Sequence, residues 1–417
     1  MIRVAGFLAL LIALWSFSSG QQVHYDGYQV WRLTLEKPAQ LEEIQSLVRD
    51  IWMVRGKTVD VCLSPEEQWA LRKAGYTGEV LIKDVGALIR QQQTDFTPQD
   101  GNLFTRYLTL DEIYAAMRQL ADQNPRLVQM FEIGRSIENR PIYALRLTKD
   151  PRRARVYRDR PQVVLNAMQH AREWITPPTL LYLAQRLISE YQTDMRVREY
   201  LDRLEIYLVP VVNPDGYVYT HTTQRLWRKN RRYNGRNAWG QPIYGVDLNR
   251  NWSYGWGGAG SSGNPSSDTY RGTAPFSEPE TYYLSRWMLS LPLLRAHVDV
   301  HSYSQLILWP WGFTADLPPF NAVFERVGLA MQAAIFSVHG QNYAAGPIAT
   351  TIYLASGGMT DWVFGVRGAL SFTYELRDTG QYGFLLPPEQ ILPTCEEVYP
   401  AFLELFRWTL RRDWREE

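Results

Sequence analysis

The chain is 417 residues long and 45% apolar, enough for two domains and a targeting segment, and that apolar share excludes global disorder. Its 44 basic and 43 acidic side chains nearly cancel, leaving a formal charge of +1 that gives no reason to expect a nucleic-acid or anionic-membrane partner. Only two cysteines occur, so disulfides do not hold the fold; the 15 Trp and 25 Tyr read first as core packing and second as a substrate cleft.

The first twenty residues have the layout of a secretory signal. Arg3 precedes an apolar run from Val4 to Trp15, and Ser18 and Gly20 stand where a signal peptidase needs small residues. The run falls short of the roughly 20 residues that span a bilayer, and no later stretch is apolar enough to do so. A soluble, secreted, extracellular product is expected.

Residues 21–90 read as a compact first unit. Tyr28 to Leu35 alternates like a half-buried strand. After Pro38, Leu41, Ile44, Leu47 and Ile51 recur at the spacing of one helical face. Thr58 to Leu63 reads as a strand, Ser64-Pro65-Glu66-Glu67 as a capped helix start, and Gly78 to Lys83 as another strand. The order β-α-β-α-β predicts a small α+β open sandwich. From residue 84 the chain turns polar, and residues 91–106 are expected to form an exposed linker of the kind proteases nick. Arg90 suits a trypsin-like enzyme, and Arg106 is the second candidate.

Residues 107–417 read as one large α/β unit. Leu110 to Asn124 has a helical pattern. Gln162 to Asn166, Ile206 to Val212, Arg295 to His301 and Ala369 to Leu376 are buried strands separated by helical segments. That order predicts a mixed, mostly parallel twisted sheet with helices on both faces and active residues at strand ends.

Six histidines occur, so each can be weighed. His170 and Glu173 stand three apart just after a strand, a spacing that puts both on one side of a turn and suits zinc. Alone, that pair is more often a surface feature. The third ligand should come from another strand end. In His297-Val-Asp-Val-His301 the valines argue for a strand, which separates the two histidines too widely to chelate together. His301, at the strand's C-terminal end, goes to the metal and His297 to structure. His24, His221 and His339 lack ligand-spaced partners and read as structural.

Five ordered motifs carry a resemblance: His170-Ala-Arg-Glu173-Trp, Asn249-Arg250-Asn-Trp, His301-Ser-Tyr-Ser, Ile352-Tyr353-Leu-Ala-Ser-Gly-Gly and Tyr374-Glu375-Leu-Arg-Asp-Thr-Gly. Over about residues 24–410 the chain resembles the digestive zinc metallocarboxypeptidases of the carboxypeptidase A type. The resemblance implies a zymogen that, once activated, removes single residues from peptide and protein C-termini with one zinc ion. It implies zinc ligands His170, Glu173 and His301, with Asp247 orienting the first. It makes Glu375 the catalytic carboxylate, taking a proton from the attacking water and passing it to the departing amine. Arg228 would polarise the scissile carbonyl. Arg250 with Asn249 would clamp the terminal carboxylate, which arginine can hold with two parallel hydrogen bonds. Tyr353 would close over substrate, and Arg172, Ser302, Tyr303 and Phe384 would line outer subsites.

At the position that sets specificity in that family stands Thr360, with Gly312, Ile348 and Thr373 on the walls. An uncharged floor offers nothing to offset desolvation of a cationic side chain, so large apolar or aromatic C-termini are expected. Residues 21–90 would cover the cleft until an activating trypsin-like protease cuts near Arg90. Proteinaceous carboxypeptidase inhibitors are possible partners, and a monomer is expected. Two features depart from the family. The catalytic-domain disulfide of many relatives is missing, with Cys62 and Cys395 expected reduced or buried. The sequon Asn251-Trp-Ser253 lies beside the clamp and is expected unmodified. An inactive binding relative should lack Glu375 or a ligand, a serine hydrolase should carry Gly-x-Ser-x-Gly, and neither condition holds. A zinc amidase acting on other substrates is opposed by Arg228, Asn249, Arg250 and Tyr353 together.

Overall fold

The computed structural model describes residues 22–37, 39–94, 103–153 and 159–411; the expected signal segment and the middle of the expected linker lie outside these. The first unit comprises β1 (Gln29–Thr34), α1 (Ala39–Leu47), β2 (Asp50–Arg55), β3 (Thr58–Leu63), α2 (Pro65–Lys73), β4 (Gly78–Ile82) and α3 (Val85–Thr94). Its strands pair antiparallel in the order β2-β3-β1-β4. Strand periodicity divides the sheet. One face sends Trp31, Leu33, Val59, Val61 and Leu63 against Ile44 and Leu71 of the helices. The other carries Val30, Trp52, Cys62 and Ile82, which pack on Leu226, Tyr303, Phe384 and Leu385 of the second unit. The capped start of α2 is as read: Glu67 N donates to Ser64 Oγ, and Ser64 N donates to the Glu67 carboxylate.

Two sequence expectations change here. Ile51 does not extend the helical face of α1; it lies in β2, so the order is β-α-β-β-α-β. A single isoleucine at helical spacing satisfied both periods, and pairing with β3 decides for the strand. The expected linker is also shorter than its polar composition suggested. Residues 85–94 are helical, and the Gln92 side chain is buried, donating to Leu386 O and accepting from Arg225 Nε. Beyond residues 95–102, Phe104 is buried in the main core.

The second unit runs α4 (Leu110–Gln123), β5 (Val128–Arg135), β6 (Pro141–Leu147), β7 (Gln162–Ala167), α5 (Thr176–Glu190), α6 (Met195–Arg203), β8 (Glu205–Val209) and α7 (Pro214–Thr222). It continues with β9 (Tyr233–Arg236), β10 (Pro242–Tyr244), α8 (Pro279–Leu289), β11 (Leu294–Ser302), β12 (Leu306–Trp309), α9 (Asn321–His339) and β13 (Ala344–Pro347). The last elements are α10 (Ile348–Thr351), α11 (Met359–Arg367), β14 (Leu370–Leu376) and α12 (Ile391–Thr409). Eight strands form one mixed sheet in the order β13-β12-β14-β11-β7-β8-β6-β5. The central four, β14 to β8, are parallel, and β6 and β12 flank them antiparallel. Helices α4, α5, α6, α9 and α12 cover one face, while α8 and α11 cover the other, as the sequence order predicts. Among the described residues no helix is long and apolar enough to cross a membrane. Cys62 and Cys395 are free and buried, in separate cores.

Candidate metal centre and substrate cleft

Three neighbouring parallel strands deliver the chemistry at their C-terminal ends. His301 lies directly across from Glu375 in the β11–β14 register, and His170 follows β7 by three residues. Period two then sorts the strand faces. Val298, Val300, Phe372 and Tyr374 point into the main core, whereas His297, Asp299 and His301, with Ser371, Thr373 and Glu375 beside them, share the opposite face. His297 is a buried strut, as read: Nδ1 lies 2.8 Å from Ser371 Oγ and Nε2 lies 2.8 Å from Asn166 Oδ1.

His170, Glu173 and His301 bring one ligand atom each within 4.8 Å of one another. His170 Nδ1 is 2.8 Å from Glu173 Oε1, and His301 Nδ1 is 2.9 Å from Glu173 Oε2. The two Nδ1 atoms face each other at 3.0 Å. On the far side of each ring, Nε2 meets a carboxylate: Asp247 Oδ1 at 3.0 Å for His170 and Asp299 Oδ2 at 2.8 Å for His301. Those carboxylates fix the ring protons on Nε2, so both Nδ1 lone pairs converge on one point. Two facing lone pairs beside a carboxylate are the donor set of a cation, and two imidazoles with one carboxylate suit zinc while leaving a fourth position open. Burial opposes the charge on Glu173, yet His170 and His301 hold its carboxylate well below the usual range.

The other predicted residues gather around this point. Asp247 also accepts from Arg228, whose Nε and Nη2 lie 3.2 and 2.8 Å from Oδ2, and from the backbone N–H of Asn249. Burial pushes the Glu375 carboxyl up to about 8, with His301 and Arg228 pulling it down and Glu173 and Asp299 adding to the rise. A bound dication would oppose that rise. Arg250 is buried and held by Nε to Gly260 O and Nη1 to Asn249 O, 6.0 Å from the centroid of the Tyr353 ring. The Asn249 side chain accepts from Met359 N.

These residues line one cleft with Ser302, Tyr303, Ile348, Thr360, Asp361, Thr373 and Phe384. Within it Thr360 Oγ1 and Thr373 Oγ1 are 2.7 Å apart, and Leu306, Leu308, Ile348 and Ile352 supply apolar lining. Asp361, beside Thr360, accepts backbone N–H groups from Gly312 and Phe313 at 2.9 to 3.0 Å, which makes it a brace for that loop. Gly312 stands behind the lining, where an added Cβ would meet Ile348 and Ala355. Arg172 also stands behind it, 4.1 Å from the Phe384 ring. The sequon asparagine is enclosed: Asn251 is buried and its Nδ2 donates to Arg271 O, Ala274 O and Ser277 Oγ, so no glycan can attach in the fold.

Sequence reading expected the first unit to cover this cleft but named none of the residues that do so. Trp52, Met53 and Val54 line it together with the zinc triad. The Trp52 ring packs edge-on to Phe384 and Tyr303 at 5.0 and 6.3 Å. Arg172 Nη1 donates to Asp50 at 2.7 Å, and Tyr303 Oη donates to Asp60 at 3.0 Å. Asp60 also receives both arms of Arg32 at 2.7 Å. An acid alternating with valines in β3 carries no signal that its face of the sheet is covered. Asp299 was missed too, although a signal was present: it stands two residues before His301, on the same strand face.

The zinc carboxypeptidase family profile matches residues 113–401. The chain is 40% identical over 374 residues to carboxypeptidase A2 of Rattus norvegicus, covering 86% of this chain and 87% of the relative. It superposes on the crystal structure of the carboxypeptidase A from Helicoverpa armigera with a TM-score of 0.82 at 27% identity, over 93% of this chain and 98% of that one. It also matches bovine thrombin-activatable fibrinolysis inhibitor, solved with tick carboxypeptidase inhibitor, with a TM-score of 0.67 at 32% identity over 74% of this chain and 99% of that one. With the donor set described above, these matches establish that the chain belongs to the zinc carboxypeptidase family and is a zinc-dependent peptidase of the carboxypeptidase A type.

Proposed function

We propose that the protein is a secreted zymogen whose activated form removes large apolar or aromatic residues from peptide C-termini. What supports this is the Thr360–Thr373 hydroxyl pair among Leu306, Leu308 and Ile348 in the cleft that Arg250 also lines, where the neighbouring acid, Asp361, is engaged by the backbone N–H groups of Gly312 and Phe313. His170, Glu173 and His301 would hold zinc, with Asp247 orienting His170. When bound, zinc supplies Lewis acidity, lowering the pKa of water to about 7 and polarising a carbonyl. Glu375 is the general base toward the attacking water and then the general acid toward the leaving amine. Arg228 faces the developing oxyanion, and Asp247 keeps it aimed until then. Arg250 and Asn249 bind the terminal carboxylate, and Tyr353 closes over it.

Residues 21–90 act as the inhibitory unit, 91–106 as the activation region and 107–417 as the catalytic domain, after removal of residues 1–20. Trp52 in the cleft supports inhibition before cleavage. Arg90 is favoured over Arg106 as the cut site, because its side chain is 59% exposed, even in its pair with Asp26, whereas that of Arg106, paired with Glu112, is 12% exposed. The same cleft makes protein inhibitors of the tick kind plausible ligands of the activated monomer. The test is release of Phe against Arg from paired peptides, before and after trypsin treatment, with zinc content measured in parallel. Faster release of Arg would overturn the specificity, and equal rates before and after trypsin would overturn the zymogen.

A further inference from the structure

We infer that Asp299 is a positioning residue of the metal centre: it fixes His301 through Nε2 and supplies the buried negative charge that the cation there requires. Asp299 is wholly buried, with Oδ1 accepting from Asn166 Nδ2 at 2.7 Å and Oδ2 from Gln169 Nε2 at 2.6 Å and His301 Nε2 at 2.8 Å. Two of these donors are neutral amides, and none is a lysine or arginine. A carboxylate enclosed without a cation is costly, so a purely structural acceptor here would be served as well by an amide. Asp247 is different, because its second oxygen is neutralised by Arg228. Among the described residues, the hydrogen bonds of Asp299 reach a group that can bear positive charge only at the His301 ring, which is aimed at the metal position.

The amides give this carboxylate a fixed direction. Asn166 is held in turn by His297, itself anchored on Ser371, so the chain from Ser371 to His301 is a single buried row across β14, β11 and β7. Gln169 precedes the ligand His170 and also accepts from Trp252 Nε1, which ties the row to the loop bearing the other two ligands. A ring held at Nε2 in this way keeps Nδ1 free and aimed, and such partners are worth about 10–100-fold in metal affinity.

The inference rests on His301 being a zinc ligand, so the test separates the two. Asp299→Asn keeps the shape and removes the charge. Asn166 can turn its amide over to match it, because His297 Nε2 can accept as well as donate. Zinc release from the activated holoenzyme into excess chelator is followed for the parent, Asp299→Asn and His301→Ala, with melting midpoints of zinc-loaded and zinc-free forms. The expected result is release about tenfold to 100-fold faster in Asp299→Asn and a smaller rise in midpoint on adding zinc. Parental release with both midpoints lowered equally would overturn the inference alone. A His301→Ala protein that retains one zinc would overturn the ligand assignment and the inference with it. A measurement on the parent needs no variant: ¹⁵N-histidine spectra of the zinc form should find the His301 proton on Nε2. A deprotonated Nε2 would overturn the inference even if Asp299→Asn failed to fold.

Discussion

The wall of the cleft built by β7, β11 and β14 holds its working side chains among buried partners from three strands, whereas the wall built by β2 and β3 meets it through the Trp52 indole, the acids Asp50 and Asp60, and an apolar patch that includes Cys62. In the first wall each group is fixed by elements of the same core, so site and fold cannot be separated. The second wall belongs to a sheet with its own core on its other face. Removing it would leave the triad, Glu375 and Arg250 with their partners within residues 107–417 intact. Chemistry is placed within one core, and the covering wall on a sheet with a core of its own. Each wall can therefore be broken without the other.

The largest expected effect is on the first wall. Glu375→Gln in the trypsin-activated enzyme should lower kcat by about 10²–10⁴-fold, the range for a lost general acid–base, with zinc content unchanged. A peptide ending in Phe and a metal analysis check both halves. Next comes Arg250→Ala. Loss of charge-assisted hydrogen bonds to a carboxylate, worth about 1.5–3 kcal/mol each, should cost about 10²-fold or more in kcat/KM. The same variant should lose most discrimination against a C-terminally amidated peptide. If discrimination survives, Arg250 is not the clamp and the first wall has been misassigned.

How much of this was readable from the chain follows the same division. His170, Glu173, His301 and the parallel strands behind them were legible because spacing and strand alternation are local properties, whereas Glu375 was singled out only by the motifs that carry the resemblance. Even the separation of His301 from His297 needed only the valines between them. Asp299 was half legible, since its strand face is given by its spacing from His301, but the amides that surround it come from β7 and the loop after it. The covering wall was illegible in detail. Ile51 fitted a helix and a strand equally, and Trp52 beside it gave no sign of which surface it would meet. Gln92 looked like linker because its burial depends on Arg225 and Leu386, far along the chain.

Effects on the second wall should be smaller and opposite in sign, raising the activity of the uncut chain. Trp52→Ala removes the ring that packs on Phe384 and Tyr303, an anchor of the kind that dominates interfaces at about 2 kcal/mol or more. Residual activity of the full-length protein should rise by about 10-fold or more, with the trypsin-activated rate unchanged. No change in the uncut chain would mean that Trp52 only fills space.

Tyr303→Phe is the smallest and most discriminating change, because Tyr303 stands on the first wall and bonds to the second. It removes one hydrogen bond to Asp60 and leaves no orphan charge there, since both arms of Arg32 still hold that carboxylate. A bond of this kind contributes about 1–1.5 kcal/mol net, so the uncut chain should gain roughly five- to tenfold in activity. The activated enzyme should keep its kcat on a short substrate, while a longer peptide reaching the outer subsites reports any second role through KM. If the activated enzyme instead loses as much on the short substrate as the uncut chain gains, the hydroxyl serves the chemistry. The boundary between the two walls would then run through Asp60 rather than through Tyr303.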